Sequence, residues 1–244
     1  MVIATLLQNS LEVFGFMLNE LKESDLINKI IIIDNTEDNS FDKTFDINEK
    51  FLILKPNGNI FVNPAWNLGV KNVESEYFFI LNDDILLTRE TIKLVYNLYK
   101  SKDDIRALSV ECVISSRDNK LNDEIISHKK FIEELGDDLA LLPYGSRQGY
   151  FVMMKKDYWI EIPEDLKIFC GDDFMFDITE YKFPKKQNYK TNKPLIYNYP
   201  RSTIRNIILD DYLLRETELL VNKYFPDKPL DFYKGRFYMK HIKR

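Results

Sequence analysis

Asn82, Asp83 and Asp84 stand directly behind the run Tyr77-Phe78-Phe79-Ile80-Leu81 and directly ahead of Ile85-Leu86-Leu87. Two adjacent carboxylates that close to an apolar core repel each other unless something positive joins them. A divalent cation carrying a phosphate ligand would do so, because Mg²⁺ is usually held by one or two carboxylates plus substrate phosphates. The alternative is a strand that ends in a solvated Asn-Asp turn. A second acid pair, Asp172-Asp173, follows Gly171 and opens an amphipathic segment. Free amides at a helix N-terminus favour a charged carboxylate, and one facing a cleft is a candidate general base for an attacking hydroxyl. Its plainer role is an N-cap with an acidic neighbour.

Three further polar groups invite the same question. Asp34-Asn35 closes the run Lys29 to Ile33, where a carboxylate or amide can meet a nucleobase edge or a ribose hydroxyl; an Asx-turn is the other reading. Asn57-Gly58-Asn59, followed by Asn67, either presents amides to a ligand or forms a loop and a helix cap. Arg201 and Arg205 can clamp a phosphate bidentately or lie as an ordinary surface pair.

The elements that must position these groups are read from the apolar pattern. Strands are expected at Val2 to Leu7, Lys29 to Ile33, Phe51 to Leu54, Tyr77 to Leu81, Arg106 to Ser115, Tyr150 to Met154 and Leu195 to Tyr199. The Tyr77 run reads as a strand covered on both faces in mid-sheet. Helices are expected from Leu11 behind a Ser10 cap, over Pro64 to Val70 behind Asn63, over Glu90 to Tyr99 behind Thr88, over Phe174 to Glu180 and over Ile207 to Phe225. Residues 116 to 138 form a surface excursion with one helix around Phe131 and Leu135. Gly145 and Gly149 permit a sharp turn or close approach of backbone to a ligand. Strands alternating with helices, with polar loops at the same strand ends, describe an α/β domain.

Composition narrows the class. The 244 residues are 45% hydrophobic and 30% charged, with a formal charge of −5, a globular profile with no basic footprint of a dedicated nucleic-acid binder. Two cysteines, Cys112 and Cys170, and two histidines imply neither a disulfide framework nor a usual zinc site, and suit a reducing, cytoplasmic setting. The N-terminal stretch lacks the basic region and cleavage site of a signal peptide, and no run reaches the roughly 18 apolar residues of a spanning helix.

Taken in order, the motifs resemble those of the family 2 glycosyltransferases with the GT-A fold. The matching pieces are IIIIDNTED, NGNIFVNPAWNLGV, YFFILNDDILL, GSRQGYFVMMKKDYW and CGDDFMFD, and the resemblance runs over residues 2 to 205. It implies a Rossmann-like, mixed but mostly parallel sheet flanked by helices. Within it, residues 1–115 would form a nucleotide-sugar half and 116–205 an acceptor half, with 206–244 as a C-terminal helix and basic, aromatic tail. It also implies transfer of a sugar from a nucleotide donor, a UDP-sugar foremost, to a hydroxyl with inversion. On the matching positions the donor would meet Asn9, Asp34, Asn35, Asn59, Asn67, Asn82 and Asp83. Asp84 would bind Mn²⁺ or Mg²⁺, and Asp173 would be the base, with Asp172 before it. The family often carries a metal-binding His after the last core strand, where this chain has Asn198 and Tyr199.

The same resemblance leaves the acceptor open among a glycan, a lipid-linked glycan and a modified nucleic-acid base. The tail from Lys228 could lie on an anionic membrane surface, stack on bases or pack on the core. A non-catalytic nucleotide-sugar-binding relative is the alternative function. A nucleotidyltransferase would need a Gly- and basic-rich loop after the first strand, and Leu6-Leu7-Gln8-Asn9-Ser10 has neither.

Overall fold

Ile30-Ile31-Ile32-Ile33 offers no polar face, so it suits only a strand covered on both sides. In this computed structural model every residue of that strand is buried. The structure describes residues 1–5, 11–38, 40–114, 125, 139–142, 149–199 and 207–228. The strands are β1 (Val2–Thr5), β2 (Ile30–Asp34), β3 (Phe51–Leu54), β4 (Tyr77–Leu81), β5 (Ile85–Leu86), β6 (Ile105–Ser109), β7 (Cys112–Ile114), β8 (Leu139–Leu141), β9 (Phe151–Lys155), β10 (Gln187–Thr191) and β11 (Ile196–Asn198). An eight-stranded sheet runs β3-β2-β1-β4-β9-β6-β10-β8, and a three-stranded sheet runs β5-β11-β7. In the large sheet only β9 and β8 oppose their neighbours. The sheet is therefore mixed and mostly parallel, with β4 at its centre.

The register aligns the polar strand ends. Thr5 pairs with Asp34, and Ile3 with Leu81, so the residues after β1, β2 and β4 emerge at one edge. Helices α1 (Leu11–Glu23), α2 (Phe41–Thr44), α3 (Val62–Lys71), α4 (Arg89–Lys100), α5 (Gly171–Lys182) and α6 (Ile207–Leu219) accompany the sheets. Helix α3 packs on β1 and β2, while α1 and α4 meet each other. Thr88 caps α4 as its sequence suggests, accepting from the Thr91 amide. Among the described residues no helix is long and apolar enough to cross a membrane.

Several expectations are corrected. The run from Arg106 to Ser115 is not one strand, because the chain changes sheets within it. The Val110 amide donates to Phe151 O, the Glu111 amide donates to Thr191 Oγ1, and Glu111 O accepts from Leu195. Helix α3 begins before Pro64: Phe61, at φ 67°, is its N-cap, and Asn63 lies inside the first turn. Helix α5 starts at Gly171 rather than Phe174. The last helix is α-helical to Leu219 and then widens into a π-helical turn over Leu220–Tyr224. Strand β10 had no apolar run to announce it. The helix expected near Phe131 and the tail beyond Lys228 lie outside the described residues.

Candidate active site

Thr5 closes β1, and its hydroxyl donates to Asp83 Oδ2 at 2.6 Å. The same residue's carbonyl accepts from the Asn35 amide at 2.9 Å. Asn35 Oδ1 in turn accepts from the Ile60 amide at 3.3 Å. One chain of contacts thus ties the loop after β3 and the ends of β2 and β1 to the acid motif after β4. Asp84 is held differently. Its carbonyl accepts from the Tyr199 amide at 2.8 Å, while its buried Oδ1 has no hydrogen-bond partner among the described residues. Burial first, and then the neighbouring Asp83, push the Asp84 carboxyl from 3.8 up to about 7.

Around Asp84 stand three side chains that motif reading did not place in the site or left without a role. Asn198, buried in β11 opposite Ile85, likewise has an Oδ1 with no hydrogen-bond partner among the described residues. Its side chain meets the Tyr150 hydroxyl, whose ionisation is pushed up by burial and then by Cys112, Asp84 and Asp172. Tyr150 therefore lies within the field of both acid motifs. The Cys112 thiol is pushed up to about 11 by burial, Glu111 and Asp84, which leaves it protonated and unreactive at neutral pH.

The second acid pair reaches the same place from the other side. Cys170 turns the chain at φ 58° and serves as the N-cap of α5, so Asp172 and Asp173 lie in its first turn and neither is the cap. The Asp173 amide donates to Asp172 Oδ1 at 2.9 Å. Asp172 is half-buried and Asp173 buried. A Cβ on Gly149 would come within 3.0 Å of Asp172 Cβ and 3.2 Å of the Trp66 ring, which is the close approach a glycine permits. The next residue's carbonyl, Tyr150 O, accepts from the Asn82 amide at 2.9 Å. Gly149 and Tyr150 are thus shared by both acid motifs.

The other candidate residues are placed as follows. Asp34 forms the Asx-turn: Oδ1 accepts from the Thr36 amide and hydroxyl at 3.1 and 2.5 Å, and Oδ2 from the Phe41 amide at 3.0 Å. Asn59 does the same toward Phe61, at 2.8 Å. Asn67 is tied to Ile162 in both directions, donating at 2.7 Å and accepting at 3.0 Å. Asn9, Arg201 and Arg205 lie outside the described residues. A cavity of about 450 Å³ opens at the opposite ends of the strands, among Met1, Lys29, Ile31, Glu76 and Tyr77, and none of Asp34, Asn59, Asn67 or the two acid motifs lines it.

Among the described residues no three His, Cys, Asp or Glu side chains form a metal cage by themselves. Asp84, with an unsatisfied buried oxygen beside a second carboxylate, nevertheless fits a divalent cation whose remaining ligands come from phosphate and water. The Asn198 amide oxygen is a second hard donor in the same neighbourhood.

No protein-family model and no curated protein matches the sequence. Solved structures of S. aureus TarS do match in three dimensions. TarS 1-349 aligns at a TM-score of 0.55 and 11% identity, over 98% of this chain and 75% of that one. The same fragment in complex with UDP-GlcNAc aligns at 0.58 and 11%, over 91% and 66%. The fold is GT-A-like. A longer TarS chain aligns at 0.53 and 12% identity over 97% of this chain, which spans 45% of its length, and a further structure of TarS 1-349 is a complex with UDP.

Proposed function

We propose that this chain is a glycosyltransferase of the family 2 type that moves a sugar from a UDP-sugar to a hydroxyl acceptor, with inversion at the anomeric carbon and a divalent cation assisting. The observation that carries the reading is the convergence of Asn82-Asp83-Asp84 and Asp172-Asp173 on Gly149 and Tyr150. That convergence lies at the carboxyl edge of a sheet where open α/β folds bind ligands. The complexes of TarS with UDP and UDP-GlcNAc support the choice of donor.

Asn35 is the base reader, since Asp34 is committed to its own turn. With its Oδ1 taken by Ile60, Asn35 can offer amide N–H donors to a nucleobase carbonyl. Asp84 would hold Mn²⁺ or Mg²⁺, with Asp83 steadied by Thr5 beside it. When bound, the cation neutralises the diphosphate and its developing charge as the leaving group. Asp173 accepts the proton of the attacking hydroxyl. Asp172 holds the Asp173 amide and flanks Gly149.

The test is UDP release from UDP-GlcNAc with Mn²⁺, read with water and with candidate hydroxyl acceptors. Wild type is expected to release UDP, and Asp173→Asn to lose about 100-fold or more of that rate while still binding UDP. UDP binding by wild type with no release under any condition would instead identify a non-catalytic relative.

A further inference from the structure

The loop 166–170, which delivers Asp172-Asp173, is grasped from two sides. From α3, Asn63 Nδ2 donates to Leu166 O and Phe169 O, both at 3.1 Å, and the Asn63 amide donates to Lys167 O at 3.0 Å. From α6, the carboxylate of Glu216 accepts from three successive amides: Lys167 at 2.8 Å, Ile168 at 3.2 Å and Phe169 at 2.7 Å. Three converging backbone N–H groups form an anion-binding concavity, and the chain fills it with its own buried side chain. Charge-assisted bonds of this kind are about twice as strong as neutral ones.

The rest of the C-terminal segment reinforces the grip. Thr217 Oγ1 meets the Sγ of Cys170, the N-cap of α5, at 3.7 Å. Lys223 and Tyr224 both bind Asp165, and the rings of Tyr224 and Phe225 pack on Phe174 at 5.6 and 5.8 Å. The segment from Glu216 to Phe225 therefore touches the chain just before the acid pair, from Asp165 to Cys170, and just after it, at Phe174.

We propose that Glu216 is a positioning residue for Asp172-Asp173, and that α6 thereby completes the catalytic site from outside the sheet. The inference rests on the reading of that pair as bearing the general base. Glu216 touches neither donor nor reacting atoms; it fixes the loop that sets where the first turn of α5 begins. Because its hydrogen-bond partners among the described residues are Lys167, Ile168 and Phe169, and not Asn82-Asp84, Asn35 or Thr5, its loss should impair turnover and leave nucleotide affinity alone.

The experiment compares wild type, Glu216→Ala and Glu216→Gln as full chains. Amide hydrogen exchange is read at residues 167–174, alongside UDP release from UDP-GlcNAc and the dissociation constant of UDP with Mn²⁺. Glu216→Ala is expected to unprotect the Lys167, Ile168 and Phe169 amides and the first turn of α5. It should slow UDP release about tenfold or more, since small misplacements at a reacting centre are that costly, while the UDP dissociation constant stays within about twofold. Glu216→Gln keeps one acceptor oxygen but sets an NH2 group against one of the three amides, so it should fall between wild type and Glu216→Ala in both exchange and rate, and it decides by the same readouts if the Ala variant does not fold. Unchanged exchange at 167–174, or UDP affinity falling in step with the rate, would overturn the proposal. A wild type that neither binds UDP nor releases it would defeat the transferase reading instead, and the exchange result alone would then decide whether Glu216 is the clamp.

Discussion

Asp84 presents a buried carboxylate oxygen with no donor against it among the described residues, beside a second carboxylate. Its carboxyl is raised from 3.8 to about 7, so between those values the folded chain holds a proton that the unfolded chain has released. Stability then falls as pH rises from about 4 to 7 and stays low above, because the folded state binds more protons in that window. Asp84→Asn should therefore stabilise the metal-free protein by roughly 1–3 kcal/mol at pH 8 and by almost nothing at pH 4, as read by denaturant melts at both pH values. The same variant should lose any stabilisation by Mn²⁺ with UDP, since its ligand charge is gone. The acid pair makes a separate claim. Asp173→Asn should cost about 100-fold or more in UDP release, and Asp172→Asn less, because a general base is worth that much. A reversed order would move the base to Asp172, the more exposed of the two.

At the scale of elements, the site depends on how closely α5 meets α3. A Cβ on Gly171 would lie 2.1 Å from Asn63 Oδ1, and that amide is pinned by Leu166 and Phe169. Gly171→Ala must push it aside, so a loss of roughly 1–3 kcal/mol in stability is expected, together with slower turnover, measured by urea melts and UDP release. How much of this was legible in the sequence follows from the kind of contact involved. Strands β2, β3 and β4 are uniform apolar runs and were read nearly to the residue, as was the Thr88 cap, whose partner is three residues away. Strand β10, Gln187-Asn188-Tyr189-Lys190-Thr191, alternates half-buried Asn188 and Lys190 with buried Tyr189 and Thr191, and with one aromatic among four polar residues its sequence resembles a loop. The split between β6 and β7 depends on partners at Phe151, Thr191 and Leu195, which no local pattern reveals. In the site, the acid motifs stood out because carboxylates behind an apolar run are unusual. Asp34 and Asn67 could not be told from turn and tie residues, since the same side chains do both jobs. Glu216 left no trace, being one acid among several on an amphipathic helix, with its partners 47 to 49 residues earlier.

Across the whole molecule, two sheets of different size meet at the acid motif: β4 of the large sheet runs through Asn82-Asp83-Asp84 directly into β5 of the small one. The motif thus bridges the two sheets, held by Tyr199 just after β11 and by Tyr150 just before β9. Most of the large sheet's strands run parallel, and the acids stand at their carboxyl edge, whereas the cavity at the far edge is lined by Glu74 and Glu76 together with Lys29 and mostly apolar side chains. That polarity makes nucleotide binding the property on which the functional reading depends. The most direct measurement is the melting temperature of the purified chain with UDP-GlcNAc, and with GDP-, dTDP- and CMP-sugars for comparison, each with Mn²⁺ or with EDTA. A ligand at about 100 times its dissociation constant adds roughly 2.7 kcal/mol, or about 5–10 °C for a domain of this size. The expected result is a shift of that order with UDP-GlcNAc and Mn²⁺ that disappears in EDTA and in Asp84→Ala. No shift with any nucleotide sugar in the presence of the metal would contradict the assignment of this edge as a donor site.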